Sequence, residues 1–266
     1  MNADLLEPSR VDAAARAWGA ALLHIAGADP RMRREAGRDE TWMVVTGSPA
    51  PSVNGVFCLA RVPAPDQVEL LAGRAARTAA QYAGPVSWSV QVRSHPAEAI
   101  VRTAATHGLT AQSWEPFMVR DLEAAPRSAP SDSPLRIRAI NGTEADLYAA
   151  TLGAGFQAPK EIFTPLFTAA VLDAPGITAY LGEVDGIPVA TGMGILLDGH
   201  IGVFNISTAA AHRKRGYAAL ITEHVVRQGH HQGARTAYLR ASDMAVSVYA
   251  SLGFTVAEHW TYLTAP

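Results

Sequence analysis

A segment rich in proline, serine and alanine divides this chain of 266 residues into two parts of similar length. The segment, EAAPRSAPSDSP from Glu123 to Pro134, has neither helical nor strand periodicity, which is typical of a linker. The chain is also longer than the commonest single domains, which have roughly 100–150 residues. We therefore predict two domains, at residues 1–122 and 135–266, with a linker at 123–134.

Both parts contain helix and strand patterns in a similar order, which suggests an internal duplication without a close sequence repeat. In the first part the patterns predict helices at 11–25, 66–83 and 96–108, and strands at 41–45, 55–62, 85–92 and 114–122. In the second part they predict strands at 135–140, 177–184, 187–197, 200–208, 234–242 and 254–263, helices at 216–229 and 244–253, and a helical region interrupted by Pro159 and Pro165. The expected fold class is mixed α/β.

The composition favours a globular protein, because 48% of the residues are hydrophobic and 17% are charged. The formal net charge of −2 gives no indication of a nucleic-acid partner. The single cysteine, Cys58, excludes an internal disulfide and is expected to be a small buried hydrophobe. There is neither a signal-peptide pattern nor an apolar run of about 20 residues. We expect a cytoplasmic protein that does not bind membranes.

The stretch AAAHRKRGYAALITEHVVRQG places three cations, Arg213, Lys214 and Arg215, immediately before a predicted helix. Gly216 allows a tight turn there, and Gly229 is the expected stop of the helix. Each cation opposes the helix dipole at a cost of a few tenths to about 1 kcal/mol, whereas a charge-assisted hydrogen bond to phosphate returns about 1.5–3 kcal/mol. The loop therefore predicts a phosphate or pyrophosphate site, with a solvated basic turn as the alternative.

Other phosphate, hydrolase and metal motifs are absent from the sequence. There is no GxxxxGK[ST], no GxGxxG after a strand, and no GxSxG around Ser48 or Ser52. His224, His230 and His231 have neither a cysteine nor a carboxylate to complete a ligand set, so no metal is expected. Two isolated carboxylates in this region, Glu223 and Asp243, are expected to be solvated.

Two motifs carry a family resemblance. The pattern [QR]-x-x-G-x-[GA] is filled by Arg213, Gly216 and Ala218, and Tyr-x-x-Leu-Gly-Phe follows the next strand at Tyr249, Leu252, Gly253 and Phe254. In this order and on these predicted elements, they resemble the GNAT superfamily of N-acetyltransferases over residues 135–266. The whole chain resembles tandem proteins in which a degenerate GNAT-like half precedes an active one. This implies two GNAT-like domains, each a mixed, mostly antiparallel sheet flanked by helices.

The resemblance implies that the second part binds acetyl-CoA or another acyl-CoA. In the family, the strand before the basic loop separates from its neighbour and exposes backbone groups to the pantetheine arm. The loop amides and cations then hold the pyrophosphate. A frequent asparagine of the family is replaced here by Ser242, whose side chain has a shorter reach. The implied binding residues are Ile206, Ser207, Thr208, Arg213, Lys214, Arg215, Gly216, Tyr217, Ala218 and Ser242. The first part lacks the loop motif and is not expected to bind CoA in this way.

The resemblance also implies a general acid at Tyr249, because a phenol with a pKa near 10 is protonated at pH 7 and can donate to the leaving thiolate. Histone-acetylating members use a glutamate as base, and Gly202 stands at the matching position. His200 lies two residues earlier and is a candidate base, since histidine titrates near pH 6.5. The alternative is that His200 belongs to the turn at 198–199 and meets only water.

The expected function is transfer of an acyl group, most simply acetyl, from CoA to an amine of a small molecule. Two alternatives remain open at this point: a non-catalytic acyl-CoA sensor or interaction module, and an acyltransferase whose donor is bound to an acyl carrier protein. The acceptor is expected to lie between the first part and the segment 153–167. Phe156, Phe163 and Phe167 could form an apolar wall there, although helix packing explains them equally well.

Overall fold

The computed structural model describes residues 7–122 and 133–266, which form seven α-helices and eleven strands. The helices are α1 (Pro8–Ala28), α2 (Pro65–Ala79), α3 (Glu98–Thr106), α4 (Ala145–Phe156), α5 (Ala169–Leu172), α6 (Tyr217–His231) and α7 (Val246–Ser251). The strands are β1 (Arg33–Ala36), β2 (Thr41–Val45), β3 (Gly55–Cys58), β4 (Ser89–Arg93), β5 (Ala111–Asp121), β6 (Arg136–Ile140), β7 (Ile177–Val184), β8 (Ile187–Leu197), β9 (His200–Thr208), β10 (Thr236–Arg240) and β11 (Thr255–Thr264). Most of the predicted linker lies outside the described residues.

The periodic segments fold as the sequence predicts, and the resulting mixed α/β class is confirmed. One strand is missed, β1, because its sequence RREA is charged and mostly exposed. The burial of Cys58 at 1% exposure is also confirmed, and burial raises the pKa of its thiol to about 12.

All the strands of the described ranges belong to one continuous sheet, in the order β1-β2-β3-β4-β11-β5-β10-β9-β8-β7-β6. Two neighbouring pairs are parallel, β3 with β4 and β9 with β10, and the others are antiparallel. The parallel pair therefore recurs at the equivalent place in each part of the chain, in agreement with the expected duplication.

The last strand of each part is exchanged with the other. Strand β5, from the first part, pairs with β10 and β11, and strand β11, from the second part, pairs with β4 and β5. The two sheets that the sequence analysis treats separately are therefore joined edge to edge. Each part therefore contributes one strand to the sheet of the other. The division into domains at 1–122 and 135–266 remains a prediction.

The helices cover both faces of the sheet. Helices α1, α4 and α5 pack on one face, here the α1 face, around residues such as Phe57, Phe117 and Trp260. Helices α6 and α7 pack on the opposite face, the α6 face, around Met118 and Ile201. Helices α2 and α3 cover the same α6 face over the first part. Both faces of the sheet are thus covered, which explains why successive residues are buried in β3, β4 and β10.

The predicted stop of α6 at Gly229 is wrong. The helix continues to His231, and Gly229 is buried where α6 crosses β9, so that a Cβ there would lie 2.7 Å from the Cβ of Ile201. The positive φ that a stop requires belongs to Gly233, at 96°. Gly229 thus serves close packing of the helix on the sheet.

We expect Gly229→Ala to destabilise the protein by about 1–3 kcal/mol, because the overpacking exceeds the helix-propensity gain of about 1 kcal/mol. Gly73→Ala in α2 is the matched control, since the nearest atom to its added Cβ is the end of Arg77 at 3.4 Å. That change should stabilise by about 0.5–1 kcal/mol. Urea unfolding midpoints measure both. Equal stabilisation by the two substitutions would contradict the packing role of Gly229.

Candidate active site

An opening in the sheet lies between β9 and β10. These strands are paired over only three residues, from His200–Thr236 to Gly202–Tyr238. Beyond that point β10 continues beside β5, and β9 continues beside β8 as far as Thr208. The edge of β9 from residue 203 onward therefore faces the opening, as the family resemblance leads one to expect.

A bulge in β9 lies at this opening. The register with β8 shifts between Thr191 and Met193, and Asn205 takes a positive φ of 56°. Thr191 Oγ1 donates to the carbonyl of Asn205 at 2.7 Å, and Asn205 Nδ2 donates to the hydroxyl of Tyr148 at 3.2 Å. This bulge is not predicted by the strand pattern of the sequence. Its signal was an asparagine inside an apolar strand, since asparagine is depleted in strands and tolerates left-handed backbone.

The strand end 206–208 leads from the bulge to the basic loop. Ser207 is buried, with its Oγ 2.8 Å from Thr191 Oγ1, and Ile206 packs at the edge of the α6-face core. The Thr208 carbonyl accepts a hydrogen bond from Arg213 Nε at 3.2 Å. The segment is therefore fixed on the side of β8, while its other edge borders the opening.

The basic loop ends at an uncapped helix N-terminus. Lys214 and Gly216 have positive φ values of 61° and 79°, and Gly216 is the N-cap residue of α6. No side chain caps the helix, and its first turn, which begins with Tyr217 and Ala218, contains no acidic residue. The first N–H groups of such a helix have no intrahelical acceptor, and the dipole favours an anion beside them.

The three cations of the loop differ in their contacts. Arg213 donates from Nη2 to the Gly155 carbonyl at 2.7 Å and from Nη1 to Gln157 Oε1 at 3.4 Å, so it ties the end of α4 to the loop. Lys214 and Arg215 are exposed and have neither an ion pair nor a hydrogen bond within ranges 7–122 and 133–266. These two side chains are therefore the ones available to an anion at the helix end.

The second motif ends α7 and positions Tyr249. The N–H of Phe254 bonds to the carbonyl of Tyr249 at 3.1 Å, the N–H of Gly253 bonds to that of Ala250 at 3.0 Å, and Gly253 has a φ of 86°. This is a Schellman motif, in which the first and last residues also make an apolar contact. Here the rings of Tyr249 and Phe254 meet edge to face at 6.1 Å. The motif thus fixes the tyrosine through helix termination.

Tyr249 itself is 7% exposed, on the α6 face of the sheet. Burial raises the pKa of its phenol to about 12. The group therefore holds its proton at neutral pH, as a general acid must.

Two further predicted site residues, Ser242 and His200, lie at the ends of strands β10 and β9. Ser242 is exposed just after β10, and its side chain makes no capping bond to the turn that follows. His200 lies in the closed part of the β9–β10 pair and, by strand alternation with the buried Ile201, on the α1 face. Burial lowers its pKa, and its Nδ1 is buried without a hydrogen-bond partner in the described chain. The sheet thus separates His200 from Tyr249.

A small apolar cavity adjoins the opening on the α1 face. It has a volume of about 60 Å³, and both parts of the chain line it. Of the three phenylalanines considered above, Phe167 lines it, whereas Phe156 packs against Phe163 and is 54% exposed. The complete lining is Leu22, Ile25, Val44, Thr46, Val53, Leu166, Phe167, Met193, Phe204 and Asn205.

Among the residues that the structure describes, no three His, Cys, Asp or Glu side chains are grouped so as to hold a metal ion. Helices in the same ranges are all too short or too polar to cross a bilayer.

Comparison with solved structures supports the fold over most of the chain. A GCN5-related N-acetyltransferase from Kribbella flavida is 19% identical, with a TM-score of 0.65 and coverage of 95% of each chain. A conserved protein of unknown function from Staphylococcus epidermidis is 12% identical, with a TM-score of 0.60 over 88% of this chain and 93% of the other. A GCN5-related N-acetyltransferase from Sphaerobacter thermophilus is 16% identical, with a TM-score of 0.55 over 84% and 80%.

No curated protein sequence matches the chain. A family model does match it, over residues 145–254, and this range contains the opening in the sheet, the basic loop and the Tyr249 motif. The fold and the site geometry agree with this match, which is to the model of the acetyltransferase (GNAT) family.

Proposed function

We propose that this protein is an acyl-CoA-dependent N-acyltransferase that acts on an amine of a small molecule. The observation that carries the proposal is the open edge of β9, which leads directly into an uncapped helix N-terminus flanked by Lys214 and Arg215. A strand edge offers backbone groups to the amides of a pantetheine arm, and the helix end offers N–H groups and positive charge to a pyrophosphate. CoA contains both features in one molecule.

In the proposed reaction, the lone pair of a neutral amine attacks the thioester carbonyl, a C–N bond forms, and the C–S bond breaks. The leaving sulfur takes a proton from Tyr249, and the nitrogen loses a proton. Tyr249 can act in this way because burial holds its phenol protonated. His200 lies on the other face of the sheet from Tyr249. We therefore propose that the amine nitrogen loses its proton to solvent water and not to His200.

The first part of the chain covers the acceptor side in this proposal. Helix α1 lies across the α1 face of β10, where Tyr238 donates to the Ala17 carbonyl at 3.0 Å and Arg240 stacks on Trp18 at 4.7 Å. Clefts between domains are common ligand sites.

A thiol-release assay with acetyl-CoA and a broad panel of primary amines tests the proposal, with the products identified by mass spectrometry. We expect at least one amine to release CoA thiol in step with formation of its N-acyl product. Tight binding of acyl-CoA without turnover on any amine would instead favour a non-catalytic sensor.

A further inference from the structure

We infer that the cavity between the two parts of the chain receives the acyl chain of the donor, and that the enzyme prefers an acyl group of three or four carbons over acetyl. The inference rests on the proposed function, because it needs the donor carbonyl to lie at the opening between β9 and β10. The first part of the chain would thereby help to select the acyl donor.

The position of the cavity is the first argument. Phe204 and Asn205 line it, and both belong to the stretch of β9 that faces the opening. Asn205 is also the bulged residue, so β9 bends at the place where the cavity begins. A chain attached to a carbonyl at this edge has the cavity directly beside it.

The chemistry of the lining is the second argument. Eight of the ten lining side chains are apolar, the other two are Thr46 and Asn205, and none is charged. Thr46 is already engaged, since its N–H and its hydroxyl both donate to Asn54 Oδ1 at 2.8 Å. An ammonium group would enter such a cavity without a partner, at a large desolvation cost. A neutral alkyl group has no such cost, which favours the acyl donor over the amine acceptor.

The size of the cavity sets the length of the chain. A void of about 150 Å³ holds a benzene ring, and this one has about 60 Å³. It therefore fits one or two methylene groups beyond acetyl, and its walls are closed by buried residues such as Leu166 and Met193. Burial of each additional methylene group should strengthen binding roughly fourfold.

Calorimetric titration with CoA, acetyl-, propionyl-, butyryl- and hexanoyl-CoA tests the inference without knowledge of the acceptor. We expect affinity to rise roughly 15-fold from acetyl- to butyryl-CoA and to fall again for hexanoyl-CoA, whose chain exceeds the cavity.

Two substitutions that change the cavity in opposite directions separate this effect from a folding defect. Val53→Phe fills the cavity from the first part and should remove the preference for butyryl-CoA while acetyl-CoA still binds. Leu22→Ala enlarges it and should move the preferred chain toward hexanoyl-CoA. Val62→Phe is the matched control, because Val62 is 82% exposed and should leave the chain-length profile unchanged.

Equal affinity for acetyl- and butyryl-CoA in the wild-type protein would overturn the inference and leave the proposed function intact. The inference would also be overturned, with the proposed function intact, if Val53→Phe left the dependence of affinity on acyl-chain length unchanged and raised the KM of apolar amines. The cavity would then bind the acceptor. A protein that binds neither CoA nor any of its thioesters would overturn both proposals.

Discussion

Tyr249→Phe is expected to lower kcat by roughly 10²–10⁴-fold, the usual contribution of a general acid, while the affinity for acetyl-CoA stays the same. The phenylalanine ring keeps the contact with Phe254 and the Schellman motif of α7, so only the hydroxyl proton is lost. Steady-state turnover, together with calorimetric binding of acetyl-CoA, measures the two effects separately.

The matched control for this substitution is Tyr180→Phe. Tyr180 is also a buried tyrosine on the α6 face, but it lies on β7 against His224, away from the opening. Loss of the Tyr180 hydroxyl should leave kcat within about twofold of wild type, since no transition-state contact is removed. Equal turnover by the Tyr249→Phe and wild-type enzymes would show that the leaving thiolate receives its proton elsewhere.

The raised pKa of Tyr249 also has a consequence for the pH profile. Because burial raises that pKa to about 12, the acid form persists throughout the alkaline range accessible to the folded protein. We expect kcat to show no descending limb up to about pH 10, the pKa of an ordinary tyrosine. A descending limb near pH 8 or 9 that vanishes in the phenylalanine variant would contradict the raised pKa of Tyr249.

Glu223→Ala is expected to destabilise the protein by about 3–5 kcal/mol, because it leaves an unpaired buried cation. Glu223 on α6 is 5% exposed and accepts hydrogen bonds from Arg120 at 2.7 and 3.4 Å. The sequence-based expectation of a solvated Glu223 is therefore wrong. Arg120 lies on β5, so the pair also joins the exchanged strand of the first part to a helix of the second.

Urea or thermal unfolding of three variants tests this pair. The double substitution Arg120→Met/Glu223→Leu should recover most of the loss, since apolar groups can replace a buried ion pair at little cost. Glu98→Ala is the exposed control, because its pair with Arg102 lies on the surface of α3 and should contribute at most about 0.5 kcal/mol. A loss in Glu223→Ala no larger than that of the control would contradict a structural role for the pair.

The local elements of this fold are predictable from the sequence, because helix and strand periods reflect which side chains are buried. The exchange of β5 and β11 is not. Both strands have apolar residues at the right spacing, and nothing local in either segment states which neighbour it pairs with. The partner of Glu223 is hidden for the same reason, since Arg120 is 103 residues away in sequence.

The candidate site likewise combines features that the local sequence predicts with features that depend on distant contacts. The loop Arg213–Gly216 and the motif around Tyr249 are visible in the sequence as motifs, but the different contacts of Arg213 and Lys214 depend on the end of α4. The bulge at Asn205 is held by Thr191 and Tyr148, and the cavity beside it is lined by residues from both parts of the chain, so a pattern in one segment reports neither.

The central claim is that the open edge of β9 and the basic loop bind CoA. Calorimetric titration with acetyl-CoA, of the wild-type protein and of Lys214→Ala/Arg215→Ala, tests it most directly. Arg77→Ala/Arg102→Ala removes the same charge elsewhere and serves as the control. We predict measurable binding by the wild type and the control, with affinity roughly 10–100-fold lower in the loop variant because charge-assisted bonds to the pyrophosphate are lost. Absence of binding by the wild type, or equal affinity in all three proteins, would contradict the claim.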